Sequence, residues 1–503
     1  MRGYNRTSCT VLGLGEQCYV SGLGIEHGLY GIILGNHNQV GLDDNALANY
    51  IADCAEAGVL MAGDSNIVSG NVIGINSFGQ LSPCQFGVFV SGIRNVIGGI
   101  HAGEGNLISG NDIGIAAYTL GGFTGILGNF IGTNYNATLV APNRVGIDNI
   151  GPNTYIGSND QAGANVISGN TESGVLIGTM ASNVVVQHNF IGTNPQGNIA
   201  LPNRDGITLG PGSTNCEVHD NLISDNTNNG ILISGIQGPQ LESDDHLIAG
   251  NVIRYNGNAG IALSGAANNN IIGSSLSNDF PLNEIQNNGV AGIVTQSGLG
   301  VPTGNTIRKN KIYENNTSGI RILAGQNNIP PPVLLTYVAL DQTTATVTGT
   351  HPSIGARIDF YLGDPDQADN YEGREWLGEA TVNASGHFSE IIPICACDSI
   401  VATATDAQGN TSEFSDGLGL TMTAVNDPAG LSSPLIATPN PFDQSTVIHF
   451  TLQHAGMVDL RIRNASGKNV ETLNHDFLLP GKYNLTWSAG QYPAGVYYYT
   501  LTV

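Results

Sequence analysis

Over the first two thirds of the chain, apolar residues never run long. They come in stretches of three to five, alternate with polar residues, and stop at Asn or Gly. Alternation over so short a span predicts β-strands and not helices. The stretches recur inside a hexamer, N-x-I-x-x-N, in which Leu, Val or Ile flanks the central position. It occupies Asn66–Asn71, Asn106–Asn111 and Asn165–Asn170, and starts again at Asn221, Asn251, Asn283, Asn305 and Asn310. A Gly followed by Ile or Val closes many units, as at Gly174, Gly230, Gly260, Gly292 and Gly319. A longer period lies on top: Asn129–Asn134 recurs 60 residues later as Asn189–Asn194, and Pro142-Asn143-Arg144 recurs as Pro202-Asn203-Arg204. A block of two or three coils therefore repeats as a module.

Such repeats predict a solenoid, because one coil cannot bury its own apolar face. Ile and Val are expected to point inward and stack on their counterparts in the next coil. Asn and Gly are expected to take the left-handed conformation at the corners. Stacked Asn side chains are expected to hydrogen-bond along the axis as a ladder. About a dozen coils at ~4.8 Å each would make a rod near 60 Å long. Pro330-Pro331-Pro332 ends the pattern and reads as a stiff linker. Longer strand signals follow at Ala345–Thr350, Ala356–Leu362 and Ser399–Thr405, separated by turns at Asn383–Gly386 and Asp406–Asn410. They predict a small antiparallel sandwich. Residues 421–434 read as a second linker, and 435–503 are strand-rich again.

Over residues 30–328, the segments N-x-I-G-G, N-x-I-S-G-N and G-I/V-x-I resemble the right-handed parallel β-helix repeat proteins of bacterial surfaces. The run Ala402–Ser415, with Trp376-Leu377-Gly378 before it, resembles the immunoglobulin-like module that follows such β-helices in secreted bacterial proteins. The last segment carries Asn440-Pro441-Phe442, Gly456–Ile462 in the form G-x-V-x-L-x-I, Trp487-Ser488-Ala489 and Pro493–Tyr497 in the form P-A-G-V-Y. That order resembles the type A C-terminal sorting domain of type IX secretion cargo. The resemblance implies a closing strand with a basic end, which this sequence, ending at Val503, does not contain. The expected architecture is all-β: a right-handed parallel β-helix over 1–329, an Ig-like β-sandwich over 330–422 and a sorting-type β-sandwich over 435–503. The implied location is extracellular or the bacterial cell surface, with the secretion machinery as a partner of the last domain.

Composition narrows the partners. Lys and Arg total 16 against 40 Asp and Glu, a formal charge of -24. This balance argues against nucleic acid as a partner, since phosphate binding needs clustered cations. No run of about twenty apolar residues exists to form a transmembrane helix. The opening Met1–Arg6 leads into no apolar stretch, so a signal peptide is not expected within this sequence. Seven cysteines are scattered with no C-x-x-C spacing, which argues against a thiolate zinc site. Cys395 and Cys397, two apart, would share one face of a strand.

Chemistry is harder to locate. Glycan-cleaving β-helices need paired carboxylates, or a base together with a cation for a uronate. Lys309 and Lys311 are the only lysines before the sandwich. The G-H-G and R-I-K signatures of polygalacturonases are absent, as is the D-P-H-E signature of alginate epimerases. The densest polar cluster is Glu242-Ser243-Asp244-Asp245-His246. Asp244, Asp245 and His246 are the candidate acid/base residues, and Glu242, Asp244 and Asp245 the candidate calcium ligands; no other cofactor is expected. A solvated loop between coils explains the same run. Asp43-Asp44, His188, His219 and Asp220 have a similar double reading; Arg144 and Arg204, at equivalent module positions, are candidates to line a groove for an acidic sugar, though the repeat of the module explains them more simply. Two functions stay open. One is a non-catalytic adhesin, glycan binder or structural rod; the other is a polysaccharide lyase, hydrolase or epimerase. A carboxylate and His/Arg cluster converging on one face would favour the enzyme, and ladders with scattered aromatics would favour binding.

Overall fold

Each hexamer folds as one short strand with a corner at either end, and coil after coil of them builds a right-handed parallel β-helix. The structure, a computed structural model, describes residues 10–42, 47–119, 121–179, 181–273, 281–323, 325, 329–341, 343–363, 371–394, 399–421, 435–452, 455–465 and 467–502. Asp43, Asp44, Cys395 and Cys397 lie outside them. No helix among the described residues is long and apolar enough to cross a membrane. The chain forms two compact units, the first running to Thr421 and the second from Met422.

The β-helix has three faces. Among the described residues, face A has 12 strands, from Thr10–Leu14 to Ser318–Arg321, and face B has 11, from Tyr19–Val20 to Thr306–Arg308. Face C starts at Gly24–Glu26 and reaches Lys311–Tyr313 before continuing beyond the solenoid. Solenoid strands pair in parallel and in register: Ile115, Ile147, Val175, Ile207 and Ile231 stack as one column, all fully buried. A one-residue slip would turn each of these columns outward.

The motif asparagines are rungs. One column, ahead of face C, runs from Asn49 through Asn71, Asn106, Asn129, Asn165, Asn189, Asn221, Asn251 and Asn283 to Asn310. Asn165 shows the geometry. Its backbone N–H and Nδ2 both donate to Oδ1 of Asn189, at 3.1 and 2.9 Å, and Nδ2 also donates to the Ile126 carbonyl at 2.7 Å. A second column after face C holds Asn111, Asn143, Asn170, Asn203, Asn226, Asn256, Asn288 and Asn315. These amides satisfy backbone groups that the corners would otherwise leave buried and unpaired.

Gly and Asn do turn left-handed at corners, as at Gly70, Gly169, Asn153 and Asn183, and residues of other types do so as well. The left-handed residue is the one before the rung: Gly110 at φ 81°, Asp225 at 62°, Tyr255 at 55° and Glu314 at 56°. The Gly of the Gly-Ile pair answers a different need. A β-carbon on Gly146 would sit 2.4 Å from the Gly174 carbonyl and 2.8 Å from Nδ2 of Asn170. The 60-residue period spans two coils, since the Asn165 rung lies between Asn129 and Asn189.

Face C continues past the last coil through an antiparallel contact, Ile312 with Gly373, into the strands Gly373–Thr381, Arg357–Gly363, Ser399–Thr405 and Leu418–Gly419. A second sheet, Val333–Ala339, Thr344–Thr350 and His387–Pro393, packs on these. Tyr361, Val401 and Phe414 belong to the solenoid's own core. Buried Arg308 donates to Asp359 at 2.6 and 2.8 Å and to Glu379 at 2.7 Å. The Glu372 carboxylate accepts the Asn315 N–H and so ends the second rung column. The antiparallel layer is therefore the cap that a solenoid end requires.

The second unit has two three-stranded antiparallel sheets around Ile448, Phe450, Leu452, Val458, Leu460, Ile462 and Trp487. Phe442 and Tyr497 each meet the Trp487 ring edge-on, at 5.5 and 5.0 Å between centroids. The Asn440–Phe442 and Pro493–Tyr497 motifs thus line one cleft of about 530 Å³.

Candidate functional site

The cluster at 242–246 is divided among different roles. His246 is a rung in a third column, ahead of face B, and is 1% exposed. Its Nδ1 accepts the Cys216 N–H at 3.1 Å, and its own N–H donates to Asn270 Oδ1 at 3.0 Å. That leaves the ring proton on Nε2, facing Ser243 Oγ at 3.0 Å and Ser213 Oγ at 3.3 Å. Burial holds the imidazole down to about 3, so it stays neutral. The structure places His246 in the ladder, away from the surface. Asp245 is a left-handed corner residue at φ 58° and is exposed. Asp244 ends the short strand Ser243–Asp244 and accepts the Asn268 N–H at 3.1 Å. Desolvation pushes its carboxyl up to about 6, with the neighbouring Glu242 carboxyl adding to the rise. Asp244 and Glu242 line a 420 Å³ hollow with Ser182, Gly212, Thr214 and Gln240. Among the described residues, no group of three or more His, Cys, Asp and Glu side chains is placed to hold a metal ion. The calcium expectation therefore has no ligand set here.

Arg144 and Arg204 lie just ahead of the face A strands Val145–Asn149 and Asp205–Leu209. The outward row of face A reads Ile33, Leu60, Phe89, Ala116, Asp148, Leu176, Thr208 and Leu232 on successive coils. Asp148 interrupts this apolar row and is only 9% exposed. The Tyr118 hydroxyl donates to it at 2.5 Å. Desolvation raises the Asp148 carboxyl above the usual range, against the opposing pull of Tyr118 and Arg144. Tyr118 also packs edge-on against Phe86 and Phe89. Arg144 donates to Asp112 at 2.7 and 3.2 Å and to Glu172 at 2.7 Å, so it bridges three coils and is already committed to carboxylates. Arg204 is more exposed and lies 3.8 Å from Asp205.

Face B offers a groove instead. Phe123 and Tyr155, 55% and 38% exposed, stack with centroids 5.6 Å apart and planes 4° off parallel. Beside them lies a 480 Å³ depression lined by Asn153, Tyr155, Asn159, Asn183, Val185, Gln187, Asn215, Glu217 and His219. Asn153, Asn183 and Asn215 repeat on consecutive coils at φ 54°, 54° and 52°, which sets their side chains out at the rim. At the far corner, Asp220 accepts from His219 Nδ1 at 2.8 Å, and His188 stands edge-on to His219 with its Nδ1 buried and unpartnered.

Sequence reading missed Asp148, Tyr118, Phe123, Tyr155 and Gln187. Only Asp148 had a signal. Aligned on their Gly-Ile or Gly-Val pairs, the coils place Ile33, Phe89, Ala116 and Leu176 where one coil has Asp148.

These features define an all-β capped solenoid with open polar grooves and no enclosed cofactor cavity among the described residues. Residues 192–330 match the family model described as NosD, periplasmic copper-binding protein. Among the described residues of that span, the histidines do not fit a copper centre: His246 Nδ1 is taken by the Cys216 N–H and its Nε2 faces Ser243 Oγ, and His219 Nδ1 is on Asp220. No curated protein matches the chain. Among solved structures, a point mutant of the periplasmic alginate epimerase AlgG aligns at 13% identity and TM-score 0.40, over 59% of this chain and 68% of the other. A double mutant of AlgG aligns at 15% and 0.33, over 60% and 74%. The alginate lyase from Paenibacillus sp. str. FPU-7 aligns at 11% and 0.25, over 59% and 89%. Likeness at this level does not extend to chemistry.

Proposed function

We propose that this protein is an exported β-helix that binds polysaccharide along face B, with its Ig-like layer as a cap and its last module as a type IX sorting signal. The observation that carries the binding reading is the Phe123–Tyr155 stack beside a groove rimmed by repeated amides. Sugars present apolar ring faces and many hydroxyls, which aromatic rings and amides match without charge. Successive coils repeat the contacts, so a polymer gains from multivalency. The envelope or cell-surface location is supported by the motifs of 440–497 and by the periplasmic description of the matched family model. Retention of neutral and acidic polysaccharides on the immobilised protein tests binding. Equal passage of all polymers contradicts it. Finding the native protein in the cytoplasm contradicts export.

A second reading, a carbohydrate-active enzyme, is favoured by one observation: a desolvated carboxyl, Asp148, hydrogen-bonded to Tyr118 in the middle of face A. Carboxyls set in apolar surroundings are suited to proton transfer near neutral pH. New chain ends in the same screen would establish this reading, and their loss in Asp148→Asn would locate it.

A further inference from the structure

The rung column that ends on Glu372 does not begin with an amide. Its first two positions are Cys54 and Cys84, ahead of Asn111. The Cys54 N–H donates to Cys84 Sγ at 3.4 Å, and the Cys84 N–H donates to Asn111 Oδ1 at 3.2 Å. Both residues are 2% exposed and their thiols are free in this structure, with Cys54 Sγ donating to the Ala52 carbonyl at 3.5 Å. A thiol is a poor rung. Asn111 uses Nδ2 to reach the Ile73 and Ser109 carbonyls and Asn143 Oδ1, whereas sulfur has one weak donor and accepts weakly. Coils stack about 4.8 Å apart, inside the ~4.4–6.8 Å between α-carbons that a disulfide spans. Cys216 supplies the contrast: it is also a buried rung, but its neighbours in the column are Val184 and His246.

We infer that Cys54 and Cys84 are a disulfide-forming pair, a covalent staple across two coils at the start of this column. Two thiols lose two protons and two electrons to a donor disulfide, which leaves as two thiols, and one S–S bond joins residues 30 apart. Because both sulfurs are buried, the bond forms while the coils are stacking. The staple constrains the unfolded chain and replaces the amide contacts that this end of the column lacks. That it closes in the cell rests on the proposed export to an oxidising compartment.

The test is refolding of the full chain with oxidised glutathione, followed by alkylation in denaturant and peptide mass mapping. A Cys54–Cys84 linked peptide, two hydrogens lighter than its parts, is expected, with Cys216 alkylated. Both cysteines alkylated, or either one linked to Cys18 or Cys216, overturns the staple. A lower urea midpoint after reduction is expected in the wild type and not in Cys84→Asn, which restores an amide rung. An equal drop in the variant overturns the staple as well. Mapping the natively isolated protein then separates the two proposals: free thiols there, beside linkage in glutathione, count against export and leave the pairing intact.

Discussion

The corner ahead of face C and the corner ahead of face B are built on one plan and finished differently. Ahead of face C, every rung from Asn49 to Asn310 is an amide. Ahead of face B, the column starts with Cys18, continues with Asn38, Asn66 and Asn95, then passes through Thr124, Thr154, Val184, Cys216 and His246 before amides return at Asn270 and Asn305. The coils with interrupted rungs are those whose outer surface carries the Phe123–Tyr155 stack and the face B groove. An unbroken ladder fixes a corner by its own amides. Where the ladder lapses, other side-chain bonds stand at the rungs, Thr154 to Asn149 and the Cys216 N–H to His246, and the sequence varies on both sides of the backbone.

The comparison breaks first at the unbroken ladder. Asn189→Ala strips partners from the Asn165 N–H and the Ile156 carbonyl, both deep in the solenoid. The expected loss is about 3 kcal/mol or more, read from urea unfolding. At the interrupted corner, His246→Ala orphans one N–H, that of Cys216, and should cost about 1–3 kcal/mol. His246→Asn should be nearly neutral at pH 7, because an amide is the resident rung elsewhere. The same variant sharpens the contrast through pH. The folded His246 holds its proton only near 3, against an ordinary 6.5, so the unfolded chain is protonated first. Its share of stability is full above about pH 6.5 and is lost as pH falls toward 3. Wild type should weaken over that window more than His246→Asn, and parallel curves would contradict the buried neutral rung. Asp244 has the opposite sign. With its pKa raised to about 6, its ionisation opposes folding as pH rises through that value. Asp244→Asn should gain on the wild type above pH 6 and not at pH 4. Tyr155→Ala should have the smallest effect on stability, within ~0.5 kcal/mol, because the ring lies on the surface.

Much of the fold is legible in the chain because a solenoid repeats its physics. The hexamer N-x-I-x-x-N marks strand, inward residue and corners each time. Its fifth position is left-handed in Gly110 and Asn287, which the residue type betrays, and in Asp225, Tyr255 and Glu314, which share no chemistry that would. The site was less legible for a related reason. Density of charge pointed to 242–246, but burial separated those residues: His246 faces the core, and Asp245 faces solvent. Phe123 and Tyr155 are 32 residues apart and meet only when coils of unequal length come into register.

The central claim is polymer binding on face B, and the direct measurement is retention of a polysaccharide panel by wild type and by Tyr155→Ala and Asp148→Asn variants, with chain ends assayed in every fraction. The account predicts retention without new ends by wild type, retention lowered about fivefold by Tyr155→Ala through loss of ~1 kcal/mol of aromatic contact, and no change in Asp148→Asn. Retention unaffected by Tyr155→Ala, or new chain ends abolished by Asp148→Asn, would contradict it and move the function to face A.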